Sequence, residues 1–199
     1  QNNQRSFGIF NSETGWNQVV LDKLTGVEPA EIPRISQVIN GEFFKPDHAW
    51  HLTPGKISRE YIYGKEAFSG ISMLKLTVPI DAEGQLYLQT YKDKNGYKGA
   101  PGRTLLHLIK GQAYKISFIA ASEDGEGRMK ISLKDAKLMN SIYDSTEADN
   151  GWLRIGKEPR VYTKLYKHNA ATEMDVRLEF DVGSKKQILY LDKVEFIRR

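Results

Sequence analysis

The chain has 199 residues, a net charge of +4, 27% charged and 40% hydrophobic residues, and no cysteine. Disulfides and thiolate metal sites are therefore excluded, and no run of about 18 uncharged apolar residues is present that could span a bilayer as a helix. The 29 Lys and Arg are interleaved with 25 Asp and Glu, which is a solvated mixture and not a phosphate-tracking stripe, so nucleic acid is not an expected partner.

The amino-terminal QNNQRSFGIF lacks the basic-then-apolar pattern of a leader, and its Gln/Asn run suits a chain whose signal peptide has been removed. That leads to an expectation of a secreted, periplasmic or cell-surface location. Residues 1–36 show few alternating runs and a helical turn or two over 20–32, cut by Pro29 and Pro33. They are expected to form an extension packed on the main body.

From residue 37 onward the apolar runs are short and bounded by turn signals, the pattern of a sandwich of two antiparallel sheets. Strands are expected at 37–44, 60–63, 71–78, 85–92, 105–109, 113–121, 128–133, 151–155, 160–166, 175–182 and 188–197. Turns at Asn95-Gly96, Asp124-Gly125 and Asn150-Gly151 supply positive φ between them. The stretches 93–104 and 137–150 read as long loops, where binding residues tend to sit. The clearest strand is DVRLEFDV: Val176, Leu178, Phe180 and Val182 share one face and Asp175, Arg177, Glu179 and Asp181 the other. The last strand repeats the alternation with one break around Asp192-Lys193.

Taken in order, VINGEFF with Trp50 and Leu52, FSGISMLKLTV, QLYLQTY, IKGQAYKISFIAAS, DVRLEFDVG and LYLDKVEF resemble the carbohydrate-binding modules of families 4, 9, 16 and 22. The resemblance spans 37–199 and implies an all-β jelly roll with galactose-binding-domain-like topology, preceded by an extension without counterpart. It further implies binding of a polysaccharide or oligosaccharide on a concave sheet, no catalysis, and attachment to or association with a glycoside hydrolase. Trp50 falls where the family has a largely buried tryptophan. Members commonly carry two further acidic residues beside a structural calcium, and here those positions are Phe44 and Lys193. Only Glu42 and Asp192 remain as ligands, against the six to eight oxygens calcium takes, so neither calcium nor another cofactor is expected.

A sugar ring needs an exposed aromatic beside amides or charged hydrogen bonders. In QLYLQTYKD, alternation puts Leu86, Leu88 and Thr90 on one face and Tyr87, Gln89 and Tyr91 on the other. The bland alternative is that tyrosines favour strands. Arg177 and Glu179 could meet Tyr87 and Gln89 if their strands share a sheet. Otherwise they read as an exposed ion pair worth under about 1 kcal/mol. Trp152, after the Asn150-Gly151 turn, and Tyr97, in the loop KNGYKGAPGRT, are rim candidates, and Trp16 is a further exposed-aromatic candidate.

Catalytic signals are sparse. His48 and His51 lack the helix, glutamate and third ligand of a zinc hydrolase, and His107 reads as a residue on one face of a strand. Phosphate-binding and nucleophile-elbow motifs are absent. Among the carboxylates only Glu179 merits testing as a glycosidase acid or base. The leading expectation is a non-catalytic polysaccharide-binding module. The alternatives are a structural or protein-interaction sandwich of a secreted or surface complex and, behind it, a glycoside hydrolase.

Overall fold

The computed structural model describes residues 35–46, 49–80, 82–88, 92–93, 96–97, 106–136, 138, 140–146, 149–183 and 185–199. The chain divides into two compact units, 1–35 and 36–199. The expected amino-terminal extension, Trp16 and His48 lie outside the described residues.

Fourteen strands follow in order: β1 (Trp50–Leu52), β2 (Ser58–Tyr63), β3 (Ser72–Val78), β4 (Gln85–Leu88), β5 (Lys92–Asp93), β6 (Gly96–Tyr97), β7 (Leu106–Leu108), β8 (Ala113–Ser122), β9 (Gly127–Asp135), β10 (Ser141–Asp144), β11 (Leu153–Ile155), β12 (Arg160–Lys167), β13 (Glu173–Asp181) and β14 (Gln187–Arg198). A seven-stranded sheet runs β1-β4-β13-β9-β10, with β11 also on β9 and β7 also on β13. A five-stranded sheet runs β12-β8-β14-β3-β2, and β5 pairs with β6. Every pairing is antiparallel.

Period-two alternation positions the core. Val176, Leu178 and Phe180 of β13 and Met129, Ile131 and Leu133 of β9 are all buried, as are Leu74, Leu76 and Val78 of β3. Between the sheets Phe118 of β8 meets Phe180 edge-on at 5.2 Å, and within the five-stranded sheet Tyr114 of β8 stacks on Phe196 of β14 at 5.0 Å. Trp50 fills one end, 5.4 Å from Phe43 and 6.0 Å from Phe180, and its Nε1–H donates to the Asn40 carbonyl at 3.1 Å. The burial expected of Trp50 is what the structure has.

Three expectations are corrected. Residues 37–44 form a turn and not a strand, because Asn40 and Phe43 take left-handed φ of 55° and 54°. The turn fits against the β14 bulge at Asp192–Glu195, where Lys193 has φ 48°, and the Val194 N–H donates to the Gly41 carbonyl at 2.9 Å. Only glycine tolerates this approach, since a Cβ at Gly41 would stand 2.0 Å from the Val194 oxygen. Gly41→Ala is expected to cost about 1–3 kcal/mol through backbone displacement, readable as an earlier thermal unfolding midpoint. Next, Trp50–Leu52, read only as family landmarks, is a strand on β4. Last, the 137–150 loop contains β10, whose Ile142 and Tyr143 pack against the core and whose pairing with β9 shifts register at Ser141–Tyr143.

Candidate functional site

The outer face of the seven-stranded sheet is laid out by register. Leu86 of β4 is buried in the core, so position 87 belongs to the opposite face, and Tyr87 is the Cα partner of Glu179 on one side and His51 on the other. Glu179 in turn opposes Ser132, which opposes Asp144. The next row pairs Arg177 with Lys134, and the row on the other side pairs Gln85 with Asp181 and Asp181 with Lys130. Beyond these, Arg128 of β9 opposes Arg154 of β11.

Glu179 and Arg177 are the best-held pair on this face. Their residues are 1% and 7% exposed, the Arg177 guanidinium makes a charge-assisted contact with the Glu179 carboxylate, and Lys134 Nζ lies 2.7 Å from Glu179 Oε2. Burial overturns the alternative of an exposed pair, and it equally takes Arg177 and Glu179 away from the direct sugar contact expected of them. The physical reason is that β13 is a central strand, flanked by β4 and β9, so its polar row is covered by neighbours from both sides. Such buried charge is tolerated only where it is paired and hydrogen-bonded.

Asp181 is less well compensated. Burial pushes its carboxyl up from its ordinary value, against the smaller opposing pull of the Gly183 N–H, which donates to Oδ1 at 3.2 Å, and of Lys130 and Lys134. A carboxyl that holds its proton more tightly when folded loses stability as pH rises from the unfolded to the folded pKa. Asp181→Asn should therefore stabilise the fold at pH 7, and the gain should vanish once pH falls below about 3.9, where both states are protonated. Urea unfolding at several pH values reads this directly.

Trp152 is half-buried just before β11, with Lys130 Nζ at 5.3 Å and the Arg128 guanidinium carbon at 5.7 Å from its ring. The turn holding it closes with Trp152 N–H donating to the Asp149 carbonyl at 2.9 Å. Gln187 fixes Arg128 from behind, accepting from its backbone N–H at 2.8 Å and donating to its carbonyl at 3.0 Å. Gln89 and Tyr91 lie outside the described residues, as does most of the 93–104 loop. Tyr97 lies on β6, whose backbone alone is described. Sequence reasoning missed the β9 cations Arg128, Lys130 and Lys134 and the β11 residue Arg154. The signal was present, since R-M-K-I-S-L-K alternates cations or Ser with apolar residues over 128–134.

The residues expected for calcium do not fit it. Asp192 is fully buried, with Oδ2 accepting from the Ser69 N–H at 2.7 Å and Oδ1 from the Ser69 hydroxyl at 3.0 Å. The Glu42 carbonyl is taken by the Ser72 hydroxyl, and among the described residues no three His, Asp or Glu are grouped to hold a metal. His168 is a satisfied core residue: Nε2–H donates to the Ala171 carbonyl at 2.5 Å, and Nδ1 lies 2.7 Å from the Tyr166 hydroxyl. His107 sits at the β7 edge, where Gln37 bridges to its backbone N–H at 2.7 Å and carbonyl at 3.2 Å.

The sequence matches no family model and no curated protein. Solved structures are similar in fold. A family 4 carbohydrate-binding module is 15% identical with a TM-score of 0.56, covering 81% of this chain and 99% of the module. The N-terminal cellulose-binding domain of β-1,4-glucanase C from Cellulomonas fimi is 16% identical with a TM-score of 0.51, covering 81% and 96%. The enzymatically active domain of tailspike protein 4 of bacteriophage CBA120 is 14% identical with a TM-score of 0.56, and the match covers 83% of this chain and 22% of that one. The chain thus has the all-β jelly-roll fold of carbohydrate-binding modules and spans their full length, but only a fifth of the tailspike domain.

Proposed function

We propose that this protein is a non-catalytic module that binds polysaccharide on the outer face of its seven-stranded sheet. The observation that supports this reading most is register: position 87, Glu179 and Ser132 are successive Cα partners across β4, β13 and β9, and Lys130 of β9 lies at the Trp152 ring. Glu179 and Arg177 are its floor. Buried and mutually paired, they hold Lys134 and the Tyr87 position in register, while Lys134, Trp152 and the residues of the Gln89–Tyr91 stretch are the groups a glycan touches. Tyr97 belongs to the rim of the same cleft. Among the similar structures one is a complex with β-1,4-galactotriose and another a xylan-binding domain, which agrees with this reading. Others are modules of hydrolase chains, which favours an attached or associated glycoside hydrolase and an exported protein. No helix among the described residues is long and apolar enough to cross a membrane.

A protein-interaction role has one observation in its favour, the exposed Val161 and Leu165 on edge strand β12 of the other sheet. Affinity electrophoresis through gels containing xylan, β-glucan, mannan or polygalacturonate separates the two. Retardation by at least one polysaccharide is expected, weakened about tenfold in Trp152→Ala, as loss of one stacked aromatic implies. Unretarded migration in every gel would overturn the sugar-binding reading.

A further inference from the structure

Arg154 and Arg128 are direct cross-strand partners on the outer face of β11 and β9, and Lys130 follows Arg128 on that same face. Like charges placed directly opposite destabilise a sheet, so this arrangement works against folding unless something anionic meets it. Among the described residues Lys130 has Asp181 directly opposite on β13, but the acidic contact of Arg128, Asp149, has its Oδ2 3.8 Å from Nη1, beyond hydrogen-bond reach, and Arg128 Nε is buried without a hydrogen-bond partner. Arg154 is exposed. Arg128 and Lys130 flank the half-buried ring of Trp152 at 5.7 and 5.3 Å.

Resting on the polysaccharide-binding reading, we propose that this end of the face is a subsite for a uronic acid, and that the glycan bound is a polyuronate. Two arginines at directly opposed strand positions suit the planar carboxylate that a uronic acid carries on its ring, because an arginine fork can donate two parallel hydrogen bonds to it. Trp152 beside them offers an apolar surface to the ring's C–H groups. A neutral hexose or pentose would meet the aromatic but leave the paired cations uncompensated. Arg128 is fixed by Gln187 through its backbone, so the guanidinium that faces the ligand starts from an anchored strand position.

Isothermal titration of the whole chain with oligogalacturonate, xylo-oligosaccharide and dextran sulfate tests this, using Arg154→Gln, Trp152→Ala and, as a charge-matched control in the other sheet, Arg160→Gln. Expected are tighter binding of oligogalacturonate than of the neutral xylo-oligosaccharide, weakening as salt is added. Arg154→Gln should lose about tenfold, the worth of one charge-assisted contact, while Arg160→Gln should lose nothing. Neutral and acidic sugars bound alike, with Arg154→Gln silent, would overturn the uronate subsite and leave polysaccharide binding intact. Equal binding of dextran sulfate, or an equal loss in Arg160→Gln, would reduce the effect to general charge and overturn it as well. Binding of none of the three would overturn the uronate subsite, and polysaccharide binding would fall with it only if β-glucan and mannan gels also left the protein unretarded.

Discussion

Glu179→Ala is expected to remove about 3–5 kcal/mol of stability, because it takes away the buried carboxylate that both Arg177 and Lys134 meet. The carboxylate is 1% exposed and meets cations from two strands, Arg177 on its own and Lys134 on β9. Its worth therefore differs in kind from that of a solvated pair, which contributes under about 1 kcal/mol. Urea unfolding followed by far-UV circular dichroism measures the loss. A second variant separates charge from packing: replacing Glu179, Arg177 and Lys134 together by methionine should cost far less than Glu179→Ala alone, since no ion is then left buried and unpaired. If Glu179→Ala cost less than about 1 kcal/mol, the pair would be solvated after all, and the floor assigned to the face would go with it.

Trp50→Ala is expected to be about as damaging, at about 3–5 kcal/mol, the range for emptying a large aromatic from a packed core. Its ring lies between Phe43 of the turn and Phe180 of β13, so the substitution loosens the end of the sandwich where the turn meets the seven-stranded sheet. Trp50→Phe should recover most of that loss; it removes the indole donor of the Asn40 carbonyl, which still accepts from the Phe43 N–H at 3.0 Å, so the residual cost is about 0.5–1.5 kcal/mol. Fluorescence gives a second readout. Trp50 is buried and Trp152 half-buried, so Trp50→Ala should reduce the blue-shifted part of the emission and Trp152→Ala the part that iodide quenches.

The sandwich was legible wherever a strand alternates cleanly. β3, β8, β9, β12, β13 and β14 fall within two residues of their expected bounds, because one apolar and one polar face leave little freedom of register. The opening turn was not legible, since V-I-N-G-E-F-F is a short run with apolar ends and only the left-handed backbone at Asn40 and Phe43 shows that Val38 and Phe43 approach the core from a turn. β10 was hidden because four residues with Ser and Asp at the ends read as loop. At the site, alternation put Tyr87, Glu179 and Arg177 on the outward side. It could not give the order of strands within the sheet, so the burial of the ion pair and its third member, Lys134, came only with the pairing of β9 and β13. Trp152 was chosen for its turn, and its two flanking cations were invisible for the same reason.

Strand order also bears on how the chain is made. β13 lies between β4 and β9 and β14 between β8 and β3, yet among the described strands both follow all four of these neighbours in the sequence. During synthesis β3, β4, β8 and β9 must therefore wait, their inner edges unpaired, until β13 and β14 have emerged. Half-made molecules of this kind invite edge-to-edge aggregation. A stop codon or nick just ahead of residue 173 would split both layers down the middle instead of trimming a border.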